Sequence, residues 1–285
     1  MIGSSQPVIT DDEFNKFREF FYRKTGIMFE DNKRYFVDKR IFERMKAVNS
    51  ESFRSYFTRL RFQASGEELQ KLINLMTVNE SYFFREAYQF DCLVNSMLDE
   101  ITLRKAKGEM VRIWSIPCSS GEEPYSIAIY LLEKWQKLEH YNVEILASDI
   151  DTDILERAKE GIYSPRSVQH LPAALLRKYF LQLPSGDYQI CQDLRDSVTF
   201  SRVNLMDPGD TRPFRKIDVV FCRNLLIYFD DVSRREAAQV LYDAIIPGGF
   251  TCLGHSESMS RICNLFRVRK LQDAIVYQKP LRGGA

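Results

Sequence analysis

The chain is short of several things, and each shortage narrows its function. No run of about eighteen apolar residues occurs anywhere in its 285 residues, so the sequence predicts no membrane-spanning helix. Residues 1–10 carry neither a basic start nor an apolar core, which argues against a secretory signal. The six cysteines (Cys92, Cys118, Cys191, Cys222, Cys252 and Cys263) are scattered, with no close pair at zinc-ligand spacing. They read as reduced thiols of a cytoplasmic protein, and no metal is expected. Neither sign of charge dominates: 40 Lys and Arg face 39 Asp and Glu, a formal charge of +1 that makes no global electrostatic case for nucleic acid. Histidine is scarce, with only His140, His170 and His255. No internal repeat or low-complexity tract is present.

What is present from residue 111 onward is an alternation of strand and helix. An apolar run at 111–116 stops at Pro117-Cys118-Ser119-Ser120-Gly121-Glu122-Glu123-Pro124 and passes into a helical run at 125–137, with Pro124 at a tolerated first-turn position. A strand ending in a small-residue turn before a helix builds the nucleotide crevice of a doubly wound sheet, at the carboxyl end of the strands. Here, however, two glutamates stand where a dinucleotide fold seats its pyrophosphate. Carboxylates at a helix N-terminus already fill the anion's place, so a phosphate would be repelled. A ligand with an adenosine and a cationic head but no phosphate suits the turn, and S-adenosylmethionine has that description. A second strand at 143–148 delivers Asp149, placed where such folds hold ribose hydroxyls. A third, at 217–222, carries Arg223 and Asn224 to the same rim; a helix follows at 233–244, Pro247-Gly248-Gly249 breaks it, and 250–254 is the next strand. The expected fold is α/β, with a doubly wound Rossmann-like sheet.

Residues 1–75 differ in character. Phe14, Phe17, Phe20 and Phe21 recur at helical spacing, Gly26 interrupts, and amphipathic helices follow at 35–45 and 53–62, so a small N-terminal all-helical domain is expected. Residues 76–285 would form the second domain. Between Asn32 and Arg61 nine basic residues face three acidic ones, which by itself reads equally as a solvated face or as a docking face. The α/β rhythm breaks at about 171–203, where a turn at Pro184-Ser185-Gly186-Asp187 lies between short alternating runs and 197–203 reads as another strand. This predicts a small antiparallel β insertion.

Five blocks occur together and in order: Asn79-Glu80-Ser81-Tyr82-Phe83-Phe84-Arg85-Glu86, Ser119-Ser120-Gly121-Glu122-Glu123-Pro124-Tyr125-Ser126, Ala147-Ser148-Asp149-Ile150-Asp151, 221–229 (Phe221-Cys222-Arg223-Asn224 through Tyr228-Phe229) and Gly254-His255-Ser256-Glu257. From about Phe14 to Tyr277 the chain resembles the bacterial chemotaxis receptor methyltransferases of the CheR type. The resemblance implies methyl transfer from S-adenosylmethionine to glutamate side chains on the cytoplasmic helical bundle of chemoreceptors, giving glutamyl methyl esters for adaptation. It places Asn79, Ser81 and Arg85 on a segment crossing over the cofactor, with Ser81 where the family commonly has threonine. It assigns Glu122 to the methionine ammonium, Asp149 to the ribose, and Asn204, Leu205, Arg223 and Asn224 to the adenine and amino-acid ends. Beside such a domain, a basic face including Lys39, Arg40 and Arg44 would steer an acidic receptor helix. The β insertion could grip a receptor C-terminal tether, a feature on which family members differ.

The chemistry sets the remaining roles. A glutamate carboxylate, which ordinarily titrates at about 4.3, is ionised at neutral pH and needs no general base. Catalysis then rests on alignment and water exclusion. Arg85 can pair with the incoming carboxylate as a fork donor, and Tyr228 can hydrogen-bond it or line the methyl path. His255 is expected to be structural. Two rivals stay open: an RNA methyltransferase, which steep salt dependence in the presence of RNA would favour, and a docking or cofactor-sensing module without turnover, which a methyl-transfer assay would expose.

Overall fold

The computed structural model describes residues 9–272 and 274–281. Residues 1–8, most of the segment read for a targeting signal and the start of the expected 1–75 unit, lie outside the described residues, as do 282–285 at the end of the expected 76–285 unit.

The N-terminal layer is helical, as its aromatic spacing predicts. Helix α1 (Asp11–Thr25) begins at a capping box in which Thr10 and Glu13 satisfy each other's backbone amides, and it buries Phe14, Phe17 and Phe21. Gly26 ends it at φ 73°, in the left-handed region that glycine enters without strain. Helices α2 (Arg34–Ala47), α3 (Phe53–Phe62) and α4 (Glu67–Met76) follow, and Val37, Ile41, Tyr56 and Leu72 complete one apolar core with the α1 phenylalanines.

The larger layer is built on a seven-stranded sheet. The strands are β1 (Met110–Ser115), β2 (Asn142–Asp149), β6 (Val198–Arg202), β7 (Ile217–Cys222), β8 (Ile245–Leu253), β9 (Arg267–Lys270) and β10 (Ile275–Gln278). Their order is β6-β2-β1-β7-β8-β10-β9, parallel except that β10 runs antiparallel to both β8 and β9. Strand β7 is buried along its whole length, as a central parallel strand covered on both faces must be. Helices Glu122–Lys134 and Asp231–Ala244 pack into the two separate apolar clusters that cover the sheet. From β1 the chain winds outward to β2 and β6, and from β7 it winds the other way. The switch point therefore lies between β1 and β7, and a crevice opens at their carboxyl ends.

The β insertion differs from its expected limits. Its three strands are β3 (Ile162–Tyr163), β4 (Phe180–Gln182) and β5 (Tyr188–Ile190), in the antiparallel order β3-β5-β4, so it begins at Ile162 rather than near 171. The run read as its last strand, β6, instead pairs in parallel with β2, Val198 opposite Ile145 through Arg202 opposite Asp149. A five-residue alternating run shows which faces it has but not which neighbour it joins. That choice was made by tertiary packing.

Candidate active site

A cavity of about 300 Å³ occupies the crevice, at the lower end of the range for small-molecule sites. Its floor comes from the turns after β1, β2 and β7, through Cys118, Ser119, Asp149, Arg223, Asn224 and Tyr228. Its roof comes from the helical layer and the segment after α4, through Met28, Phe29, Phe36, Asn79, Ser81 and Arg85.

The turn after β1 needs its glycine. Gly121 sits at φ 92°, and a Cβ there would lie 3.0–3.1 Å from Tyr125, Ala158 and Tyr163. This tight turn aims the Ser119 amide at Asp149, with N–H to Oδ2 at 2.9 Å, while the Asp151 amide donates to Oδ1 at 3.1 Å. Even with those donors, burial raises the Asp149 carboxyl to about 6. Among the described residues the buried Ser119 hydroxyl has no partner of its own, nor has Nε of Arg223, and both side chains line the cavity. A buried polar atom without a partner is costly, so such atoms in a cavity wall fit a ligand that completes them.

Asn79 is fixed by donating to Asp151 Oδ2 at 2.7 Å, and Thr77 donates to the same oxygen at 2.7 Å. Asp151 also caps helix Thr152–Glu160, accepting from Asp153 and Ile154 at 2.9 and 3.0 Å. It therefore ties the segment crossing the cavity to the end of β2. Asp151 belongs to one of the five sequence blocks, but the sequence reading gives it no role. The signal that could have found it is an aspartate preceding a threonine-led helical run.

Arg223 lies in a buried network: its guanidinium donates to Glu123 at 2.9 Å and to the Arg85 carbonyl at 2.7 Å, and pairs with Glu86 at 3.3 Å. Burial works to raise the Glu86 carboxyl, but the Arg223 charge and the His255 contacts outweigh it and hold it below the usual range. His255 is 70 % exposed, stands 3.1 Å from Glu86, and does not line the cavity. Arg85 donates to the Glu80 carbonyl at 3.1 Å and lies over the Tyr82 ring. Burial raises the Tyr228 phenol above its ordinary value, and the Arg85 charge acts against that shift, so the two groups share one electrostatic environment.

Of the expected site residues, Asn79, Ser81, Arg85, Asp149, Arg223, Asn224 and Tyr228 are brought together on one wall system. Three of the expected placements differ in the structure. The glutamate facing the cavity is Glu123, which accepts from Ser115 at 2.7 Å as well as from Arg223. Glu122 is buried behind the turn, where Ser120 donates to it at 2.7 Å and the hydroxyls of Ser81 and Ser167 also reach it. The helix turns its first two side chains to different sides, and adjacent glutamates cannot be told apart by spacing. Asn204 and Leu205 are not on the cavity wall. The Asn204 amide donates to the Lys24 carbonyl at 2.6 Å and its Oδ1 accepts from Met206 at 3.0 Å, while Leu205 is core.

The third difference concerns the basic face. Arg44 makes a two-pronged pair with Glu68 at 3.0 and 2.8 Å, and Tyr56 donates to the same buried carboxylate at 3.0 Å. Arg40 lies 3.3 Å from the Phe36 ring centroid and donates to the Leu75 carbonyl at 2.5 Å. Both are internal fasteners of the helical layer. Lys39 of the expected trio is exposed, as are Lys46, Arg54 and Arg59.

Residues 79–275 match the family described as CheR methyltransferase, SAM binding domain, and residues 12–77 match CheR methyltransferase, all-alpha domain. Chemotaxis protein methyltransferase 2 of Vibrio cholerae is 55 % identical over 276 residues, covering 97 % of this chain and 96 % of that one. The chemotaxis protein methyltransferase of Borreliella burgdorferi is 35 % identical over 264 residues, covering 90 % and 92 %. That of Salmonella typhimurium is 33 % identical over 271 residues, covering 92 % and 88 %.

Proposed function

The chain belongs to the CheR methyltransferase family and uses S-adenosylmethionine, and on that premise we propose that it esterifies glutamate side chains of a chemoreceptor's cytoplasmic helical bundle. The observation that carries the reading is one cavity holding a buried carboxylate at the end of β2 and, across it, an arginine and a tyrosine able to hold a second carboxylate.

S-adenosylmethionine, when bound, supplies an electrophilic methyl group on a sulfonium. Asp149 would accept from the ribose hydroxyls, since it lines the cavity and an ionised carboxylate makes strong hydrogen bonds. Ser119 and Arg223 have the orphaned polar atoms that such a ligand would complete. Asn79, held by Asp151, and Asn224 would bear on the amino-acid end. The Arg85 guanidinium and the Tyr228 hydroxyl would align the incoming carboxylate. Arginine makes that carboxylate a weaker nucleophile, so its benefit is orientation, which can supply several kcal/mol. Met28, Phe29 and Phe36 exclude water from the charges that are cancelled in the reaction.

Receptor recognition would fall to the exposed cations Lys39, Lys46, Arg54 and Arg59 of the helical layer, the unit we assign to residues 1–75, and a C-terminal tether could lie along the β3-β5-β4 sheet. No described helix is long and apolar enough to cross a membrane. We place the reaction in the cytoplasm, where the substrate bundle lies. Incubation with a purified receptor cytoplasmic fragment and labelled S-adenosylmethionine, followed by mass-spectrometric mapping, should give methyl esters on glutamates of that bundle. Label on RNA, or none on protein, would overturn the reading.

A further inference from the structure

Of the five sequence blocks, Gly254-His255-Ser256-Glu257 is the one that places no residue on the cavity wall. Glu257 nevertheless reaches beneath the loop that follows β7. Its Oε2 accepts from the amides of Asn224 at 2.8 Å and Gly254 at 2.9 Å, and its Oε1 accepts from the amide of Leu226 at 2.7 Å. The Ile227 amide also bears on this carboxylate, which burial raises and these amides pull down.

The loop needs such an anchor. Asn224 sits at φ 59°, in the left-handed region that a non-glycine residue enters at a cost. A tight turn at Leu226–Tyr228 follows, and within a few residues the loop presents Asn224, Leu225, Ile227 and Tyr228 to the cavity. The amides of Asn224, Leu226 and Ile227 pair with no strand, so without this acceptor they would be stranded beside a largely apolar wall. Close approach from the other side is enforced by Gly254, where a Cβ would lie 2.9 Å from Asn224 Nδ2 and 3.0 Å from Glu257 Oε2. One carboxylate therefore holds three features of the site: the rim of β8, the strained Asn224, and the turn that aims Tyr228.

We infer that Glu257 is a positioning residue for methyl transfer, clamping the amides of Asn224, Leu226 and Ile227 so that Tyr228 and Asn224 stand at their working places in the cavity. This rests on the proposed role of Tyr228, and the experiment separates the two. Glu257→Gln, which leaves one acceptor oxygen where two now serve, is compared with Tyr228→Phe, the double variant and Gly254→Ala. The readouts are single-turnover methylation of a receptor fragment, S-adenosylhomocysteine affinity and thermal melting.

Glu257→Gln should remain folded at assay temperature, lose about 10–100-fold in single-turnover rate, the scale of a small misplacement, and bind S-adenosylhomocysteine more weakly. In the double variant the losses should fall well short of multiplying, since both act on the same side chain. Glu257→Asp, with both oxygens on a shorter stem, should recover part of the rate. Gly254→Ala, which pushes on the clamp from the β8 side, should share the phenotype and carries the test if Glu257→Gln does not fold. A folded Glu257→Gln at wild-type rate, losses that multiply with those of Tyr228→Phe, or a wild-type rate in Gly254→Ala would each overturn the inference. If Tyr228→Phe alone is fully active, the reading of Tyr228 fails instead. The clamp is then judged on affinity through Asn224, and unchanged affinity in Glu257→Gln sinks it.

Discussion

At the scale of single residues, Asp149 gives the sharpest expectation. Its carboxyl is raised by burial to about 6, against about 3.9 in an unfolded chain. Between those values the folded protein keeps a proton that the unfolded chain has released, so this group makes stability decline as pH rises from about 4 to 6. Ligand binding runs the other way, because ribose hydroxyls donate to the anion. S-adenosylhomocysteine affinity, followed by calorimetry, should therefore rise through pH 6 and level off above about pH 7. Asp149→Asn should flatten that profile, and Asp149→Ala should weaken binding by about 1.5–3 kcal/mol. The methyl-transfer step should behave differently from binding. At saturating cofactor, the single-turnover rate should be nearly flat from about pH 6 upward, because the substrate carboxylate is already ionised. Arg85→Ala should lose far more in turnover than in cofactor affinity, Tyr228→Phe less, and His255→Ala little. A rate that climbs tenfold per pH unit through neutrality and disappears in His255→Ala would require a general base and end this account.

At the scale of elements, helix α2 shows why a charge count is a weak guide. Arg34, Arg40 and Arg44 contribute to the local positive excess, yet Arg34 pairs with Asp11, Arg40 packs on Phe36, and Arg44 fastens α2 to α4 through Glu68. Glu68 is only 3 % exposed, so Arg44→Ala strands a buried carboxylate and should cost about 3 kcal/mol or more in urea unfolding. Lys39→Glu should leave stability within about 0.5 kcal/mol, as for surface changes generally, and should raise KM for receptor. The effect should fade in salt, because exposed charges are screened over about 10 Å at 0.1 M. If Arg44→Ala is as stable as the parent, the fastening described for α2 and α4 is wrong; an unchanged KM in Lys39→Glu removes that residue from any docking face.

At the scale of the whole molecule, the cavity belongs to neither layer alone. Tyr22 donates to Asp230 at 3.0 Å, Gln70 to the Ile150 carbonyl at 2.8 Å, Asn74 to Thr152 at 2.8 Å, and Met28 to the Tyr228 carbonyl at 3.1 Å. The last contact joins the roof directly to the residue proposed to meet the substrate. Ligand binding should therefore stabilise both layers together, by about 2.7 kcal/mol at a free concentration of 100 Kd. In calorimetry, S-adenosylhomocysteine should move one cooperative transition. Two transitions of which only one moves would show that the roof contributes nothing to holding the ligand.

The sequence by itself determined the local and the repeated. Phenylalanines at helical spacing specified α1, apolar runs of strand length specified β1, β2 and β7, and the small-residue turn with its glutamates excluded a phosphate ligand; each of these is a property of neighbours along the chain. Five ordered blocks were enough to indicate the family. Tertiary structure decided whatever depends on residues far apart in sequence. It sent β6 to the main sheet, turned Glu123 rather than Glu122 to the cavity, drew Asn204 to the Lys24 carbonyl, and closed Arg44 on Glu68. It also brought Met28, Phe29 and Phe36 over a crevice formed more than eighty residues later. Spacing records which face of an element a side chain occupies. Which partner meets that face is set by the packing of whole layers, where buried polar groups must be matched and no single segment holds both members of the pair.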